Sequence, residues 1–196
     1  MIVLASGSQA RAQMLRDAGV AFRVDTSRVD EQSVKAAMLA EGAPPRDIAD
    51  KLAELKAMRV SLRNSTELVL AGDQVLVSGG ELFDKPADLD GAREQLRALR
   101  GKTHELLSAA VIFEAGKPVW RHIGRAQLIM RPFSDTFLED YLRNEGEGLL
   151  SSVGAYKLEG RGAQLFSRVQ GDFFTVLGLP LLEVLGFLRA RGECIE

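Results

Sequence analysis

The alternation of apolar and polar positions divides the chain into short strands and amphipathic helices. Apolar runs at 2–5 and 68–71, each followed by a glycine-containing polar segment, predict buried strands. The polar stretch around Asp30 and Glu31 shows no clear repeat and is assigned no regular element. Apolar residues recur three or four positions apart elsewhere, which predicts helices over 10–17, over 47–62, from Asp88 to Leu99, after Ser134 and after Pro180.

Two hairpins and further strands complete the pattern. Residues 75–77 and 81–83 flank Ser78-Gly79-Gly80, a pair of glycines suited to a tight turn. Residues 106–114 and 119–131 predict a long antiparallel pair, and further strands are expected over 22–24 and 163–169. This mixture predicts the α/β class, with a twisted sheet and two lobes.

Composition and charge restrict the classes of function. With 196 residues and 46% hydrophobic content, the chain can form one domain or two small lobes that share a core. A net charge of −2 argues against a broad nucleic-acid surface, but a local cluster of cations could still bind a small anion. Cys194 is the only cysteine, and no apolar run approaches the roughly 20 residues of a membrane span. We therefore expect a cytoplasmic protein without a signal peptide or a membrane-spanning segment.

The first polar loop, Ser6-Gly7-Ser8, leads from a strand into a helix that carries Arg11. Backbone N–H groups at a helix N-terminus, serine hydroxyls and a forked guanidinium all suit a phosphate. The competing interpretation is an ordinary turn in which Ser8 caps the helix and Arg11 is solvated.

Three further residues are candidates for a site that acts on a negatively charged substrate. Asp73 follows a strand too apolar to be exposed, so it is a candidate general base or metal ligand, or else a turn aspartate. Pro86 forces Lys85 into an extended conformation that could direct its amine toward Asp73, although most lysines are simply solvated. Lys56 lies at the edge of the apolar stripe of its helix, where it either extends to solvent or points into a site.

Arg11, Lys56 and Lys85 could bind negatively charged phosphates, and Glu31 and Asp73 could bind a divalent metal ion. Cleavage of a phosphoanhydride requires both kinds of group. Gly101-Lys102-Thr103 is not a phosphate-binding P-loop, because Leu96 stands where that motif needs glycine. His104 and His122 lack the spacing of metal ligands.

The chain resembles the Maf family of nucleoside triphosphate pyrophosphatases, which is related to the inosine triphosphate pyrophosphatase fold. The matching stretches follow family order along the chain: Leu4–Ser8 with Arg11, Val29–Glu31, Leu52–Ala57, Gly72–Gln74, Lys85-Pro86, Leu99–His104, Gly154–Gly162 and Gly178–Leu181. The resemblance implies a single domain over 1–196, with a twisted mixed sheet and two lobes around a central cleft.

The resemblance also implies an activity and roles for residues. Members hydrolyse a nucleoside triphosphate to the monophosphate and pyrophosphate, require Mg²⁺ or Mn²⁺, and are usually cytoplasmic homodimers. In this chain Asp73 would accept the proton and Glu31 would help to place the metal with it. The residues that would hold the substrate phosphates are Ser8, Arg11, Lys56 and Lys85, and Ser6 and Ala10 would also contact the substrate.

The family divides at positions that touch the base. Gln74 and Glu159 resemble the branch that acts on 7-methyl-GTP, and a carboxylate suits the N–H edge of guanine. Ala10 departs from that branch, which tends to carry a stacking tryptophan there, and Ala12 stands where many members have a second arginine. Two other functions stay open: a nucleotide-binding regulator of cell division without catalysis, and a phosphatase that releases orthophosphate.

Overall fold

The computed structural model describes residues 1–26 and 28–194. Its strands form one seven-stranded sheet in the order β2-β1-β3-β5-β6-β7, with β4 paired to β3. β1 is parallel to β2 and β3, whereas β4 and β7 are antiparallel to their partners, so the sheet is mixed as predicted. The strands are β1 (Ile2–Leu4), β2 (Phe22–Val24), β3 (Val69–Ser78), β4 (Glu81–Phe83), β5 (Thr103–Glu114), β6 (Lys117–Met130) and β7 (Phe166–Gln170).

Helices connect these strands, and polar caps set where several of them begin. Ser8, Asp88 and Ser134 each accept a hydrogen bond from a backbone N–H in the first turn. The caps at Asp88 and Ser134 are as predicted, and the cap at Ser8 belongs to the competing interpretation of the first loop. The α-helices are α1 (Gln9–Asp17), α2 (Glu31–Ala40), α3 (Pro45–Ser61), α4 (Leu89–Leu99), α5 (Asp135–Glu145), α6 (Phe173–Leu177) and α7 (Leu181–Ala190). Short 3₁₀ helices cover Gly146–Ser151 and Arg161–Leu165.

The chain divides into two compact units. The first contains Met1–Gln74, Leu107–Gly124 and the described residues from Phe173 onward, and the second contains Val75–Leu106 and Arg125–Asp172. The first unit packs β1 and the start of β3 against α1 and α7, with a fully buried core that includes Leu4, Leu15, Leu70, Ile112 and Leu188. The second unit has buried positions of its own, including Leu96, Leu106, Leu128, Leu138 and Leu142.

The prediction that a strand ends before Gly72 is wrong, because β3 continues to Ser78. Gly72 does not break the strand. A Cβ at this position would lie 3.1 Å from the carbonyl oxygen of Ala109. The absent side chain therefore allows a close approach of backbone. Asp73 consequently lies within a strand and is not part of a turn.

Two further segments differ from the predictions. Glu31 begins α2, which buries none of its residues completely and so lacks the apolar stripe that reveals a helix in a sequence. Asp30 caps it by accepting from the backbone N–H and the hydroxyl of Ser33. The strand expected over 163–169 begins only at Phe166, because the preceding residues form a 3₁₀ turn.

Candidate active site

Lys56 joins two carboxylates in the first unit. Its Nζ lies 2.7 Å from Oδ1 of Asp73 and 2.9 Å from Oε1 of Glu31. Asp73 is only 6% exposed on β3, whereas the Glu31 side chain at the start of α2 is 44% exposed. Lys56 projects from α3, whose neighbouring positions Leu52 and Ala53 are fully buried. Two helices, α2 and α3, and the strand β3 thus place one ammonium between a buried and an open carboxylate.

Positive side chains compensate both carboxylates of this arrangement. A buried carboxylate requires a partner, and the ammonium supplies one to Asp73. The two carboxylates are balanced by the Lys56 ammonium and by the Arg11 guanidinium, whose charge interacts with both of them.

The carboxylate pair also fits a divalent metal. Among residues 1–26 and 28–194, no group of three or more His, Cys, Asp or Glu side chains could hold a metal ion. Mg²⁺ is commonly held by one or two carboxylates together with water and substrate phosphates, so Glu31 and Asp73 are a suitable protein contribution.

Arg11 is buried at the start of α1. Its Nε donates to the carbonyl oxygen of Gly178 over 2.7 Å, and its Nη1 donates to Oγ of Ser6 over 3.2 Å. Burial lowers the pKa of Arg11, while the charges of Asp73 and Glu31 act in the opposite direction. The guanidinium stays protonated because its ordinary pKa is far above neutrality. Arg11 is therefore not a solvated surface side chain.

The loop before α1 brings both predicted serines close to Arg11. Oγ of Ser6 accepts from the backbone N–H of Ser8 at 3.2 Å, and Oγ of Ser8 accepts from the backbone N–H of Arg11 at 3.4 Å. Ala10 lies half-buried in the first turn of the same helix. The structure thus gathers hydroxyls, a guanidinium and a helix N-terminus in one segment, which is a suitable phosphate-binding arrangement.

Gln74 is hydrogen-bonded within the first unit. Its Nε2 donates to Oγ of Ser108 at 2.9 Å and to the carbonyl oxygens of Thr175 and Val176, each at 3.1 Å. Ser108 donates to the same Thr175 carbonyl at 2.8 Å. Sequence reasoning missed this contact because α6 spans only five residues and shows no helical repeat.

Lys85 and Glu159, the remaining predicted site residues, belong to the second unit. Lys85 is exposed just after β4 and is followed by the buried Pro86. Glu159 is exposed in a turn that precedes the 3₁₀ helix Arg161–Leu165. The expectation that the amine of Lys85 is directed toward Asp73 stays a prediction.

Comparisons with known proteins agree with the sequence motifs. A nucleoside triphosphate pyrophosphatase of Paramagnetospirillum magneticum is 55% identical over 193 residues, covering 98% of this chain and all of the relative. A protein of the same name from Ruegeria sp. is 53% identical over 191 residues, covering 97% of this chain and 96% of the relative.

A solved nucleoside-triphosphatase, also titled dITP/XTP pyrophosphatase, from Mycobacterium abscessus has 15% identity and a TM-score of 0.43. The aligned region covers 97% of this chain and 94% of the solved chain.

No helix in the described part of the chain has both the length and the apolar character needed to cross a membrane. The family model described as Maf-like protein matches residues 1–191, and the chain therefore belongs to the Maf family.

Proposed function

We propose that this protein is a nucleoside triphosphate pyrophosphatase that cleaves the bond between the α and β phosphates. The observation that carries the proposal is the buried Asp73, held by Lys56 next to Glu31 and under the influence of the Arg11 charge. Relatives about half identical to this chain are named for the same activity.

Asp73 orients the attacking water and accepts its proton. The water oxygen forms a bond to the α phosphorus, the bond from that phosphorus to the bridging oxygen breaks, and pyrophosphate leaves with the electron pair. Lys56 and Arg11 stabilise the negative charge that develops on the phosphate oxygens, and the same role for Lys85 stays a prediction. Glu31 and Asp73 would hold Mg²⁺ or Mn²⁺, which when bound neutralises phosphate charge.

The segment from Ser6 to Arg11 receives the triphosphate. The hydroxyls of Ser6 and Ser8 accept hydrogen bonds within this segment and keep their own protons to donate, and the buried guanidinium of Arg11 supplies a fixed positive charge. The hydroxyl oxygens of Ser6 and Ser8 accept from the backbone N–H groups of Ser8 and Arg11, so these hydrogen bonds fix the loop before substrate binds. A preorganised loop loses little entropy on binding.

We propose a methylated guanine nucleotide such as 7-methyl-GTP as the preferred substrate. The carboxylate of Glu159 is exposed and can accept from the N–H edge of guanine, and its charge suits a cationic base. Ala10 offers no aromatic surface, so base selection depends more heavily on Glu159. Since the two N–H donors of Gln74 are shared among three internal acceptors, any contact with the base would use its carbonyl oxygen.

The deciding experiment is product analysis by chromatography. The protein is incubated with Mg²⁺ or Mn²⁺ and with 7-methyl-GTP, GTP, dTTP, UTP and CTP. Monophosphate and pyrophosphate from one or two nucleotides support the proposal. Orthophosphate would indicate a phosphatase, and nucleotide binding without turnover would indicate a regulator of cell division.

From the resemblance we also propose that the protein is a cytoplasmic homodimer. Light scattering on the purified protein tests the oligomeric state.

A further inference from the structure

His104 is a buried histidine for which the proposed reaction has no use. It lies on β5 in the second unit and is only 1% exposed. Its Nε2 lies 2.8 Å from the hydroxyl of Tyr156, and its ring packs against Tyr156 and Phe166. Among the described residues, its Nδ1 has no hydrogen-bond partner. A buried polar group left unpaired is costly and uncommon, so the contacts of His104 need an explanation.

The bond to Tyr156 has one favoured direction. Burial keeps His104 neutral, so only one of its ring nitrogens carries a proton. If the Tyr156 hydroxyl donates to Nε2, a single N–H at Nδ1 is left unpaired. If Nε2 donated instead, both the Tyr156 proton and the Nδ1 lone pair would lack partners. The arrangement with fewer unpaired groups makes His104 the acceptor.

Tyr156 belongs to the loop that carries Glu159, here called the Glu159 loop and defined as residues 153–162. The first part of this loop is buried: Ala155 is fully buried and Tyr156 is 5% exposed, whereas Glu159 is exposed. Ala155 has a φ of 56°, a left-handed conformation that favours glycine and needs support from its surroundings. The bond from Tyr156 to His104 is a direct source of that support.

The far end of the Glu159 loop is also fixed. A Cβ at Gly162 would overlap the carbonyl oxygen of Lys157, so the two sides of the loop touch backbone to backbone. Arg161 pairs with Asp140 of α5 at 2.9 Å on the surface. The exposed turn between these anchors therefore has little freedom, provided that Tyr156 holds the buried side.

We propose that His104 is a positioning residue for base selection, which acts by accepting the Tyr156 hydrogen bond and so fixing the Glu159 loop. The proposal rests on the proposed function only for the contact of Glu159 with the base. It assigns no chemistry to His104 itself. It also gives a role to the His104 end of the Leu99–His104 motif, which the catalytic mechanism leaves without one.

Limited proteolysis and kinetics of Tyr156→Phe test the proposal together. This variant removes only the hydroxyl and keeps the ring that packs edge-on to Phe166. Lys157 and Arg161 make the loop itself a reporter, since trypsin cleaves after both residues. We expect cleavage there, followed by mass spectrometry, to accelerate about fivefold, within the range for loss of one buried hydrogen bond. KM for the preferred nucleotide should rise and selectivity between bases should fall by a similar factor, with kcat nearly unchanged.

Ile112→Val is the matched control, because it removes one methylene from the fully buried core of the first unit. It should leave both cleavage rates and selectivity as in the wild type. A second pair of variants tests the partner: His104→Gln retains an acceptor and should behave more mildly than His104→Leu. In the Tyr156→Phe background His104→Leu should add little further effect, because the bond is already lost.

The outcomes separate this proposal from the proposed function. Unchanged cleavage in Tyr156→Phe, or equal acceleration in Ile112→Val, would overturn the role of His104. A fall in kcat without a change in KM or selectivity would also overturn it. If Glu159→Gln leaves the selectivity of the otherwise wild-type enzyme unchanged, the proposed base contact fails instead, whatever the proteolysis shows.

Discussion

The ammonium of Lys56 lies 2.7 Å from the carboxylate of Asp73, and both side chains are largely removed from water. Each charge is the partner that makes burial of the other tolerable. The same ammonium contacts the more open Glu31, so a change at Lys56 affects two carboxylates together. A substitution at Lys56 is therefore expected to change both the stability of the first unit and its proposed catalytic activity.

Replacing Asp73 with asparagine should abolish most of the activity while preserving the fold. The amide keeps an oxygen for Lys56 but cannot accept a proton from the attacking water. We expect kcat to fall by about three orders of magnitude, within the range for loss of a general base. Pyrophosphate release measures the rate, and circular dichroism checks the fold. Asp47→Asn, an exposed change on α3, is the control; activity near wild type in Asp73→Asn would remove Asp73 from the mechanism.

Lys56→Met should destabilise the protein by about 3 kcal/mol, since it removes the ammonium that pairs directly with the buried Asp73. Lys51→Met, which removes an exposed lysine paired with Glu54 on the same helix, should cost under about 1 kcal/mol. Urea unfolding compares the two. Added Mn²⁺ should restore part of the lost stability in Lys56→Met, and chelation should reverse the gain. Equal effects of the two substitutions would show that the Asp73 pairing contributes little.

His104 should make the protein less stable as the pH falls through the mildly acidic range. Burial lowers the pKa of His104 to about 4, against 6.5 for an unperturbed histidine. Between these values the unfolded chain binds a proton that the folded protein does not. The resulting loss begins near pH 6.5 and reaches about 3 kcal/mol near pH 4. Urea unfolding at several pH values should show this slope, and His104→Gln should lack it; parallel slopes would contradict the assignment.

Glu159→Gln tests base recognition without disturbing the loop. The amide keeps the shape of the side chain but loses the negative charge, so preference for a cationic methylated base should fall by roughly tenfold, the equivalent of a charged hydrogen bond. Relative kcat/KM across the nucleotide panel is the measurement. Glu147→Gln, in the neighbouring 3₁₀ helix, controls for the loss of one negative charge.

The sequence predicted elements wherever a regular apolar repeat or a cap was present. The capped helices α4 and α5 and the hairpin of β3 and β4 follow from such local signals. α2 was missed because it buries none of its residues fully, and the extension of β3 was missed because its glycine reads as a break.

Candidate site residues show the same division between local and tertiary information. The loop before α1 and its arginine were recognisable from residue type and spacing. The burial of Arg11 was not, because its partner Gly178 lies 167 residues further along the chain. The Lys56 pairs with Asp73 and Glu31 likewise depend on the packing of three separate elements, which no local pattern encodes.

Gln74→Glu distinguishes a structural role of Gln74 from a role in base recognition. The change replaces a donor that faces the carbonyls of Thr175 and Val176 with a second acceptor, so the strand next to Asp73 should lose its hold on α6. We expect a loss of about 2 kcal/mol in urea unfolding, because carbonyl and carboxylate oxygens would face each other unpaired. Activity on all nucleotides should fall together as Asp73 is displaced. A change in base preference with unaltered stability would instead place Gln74 in contact with the base.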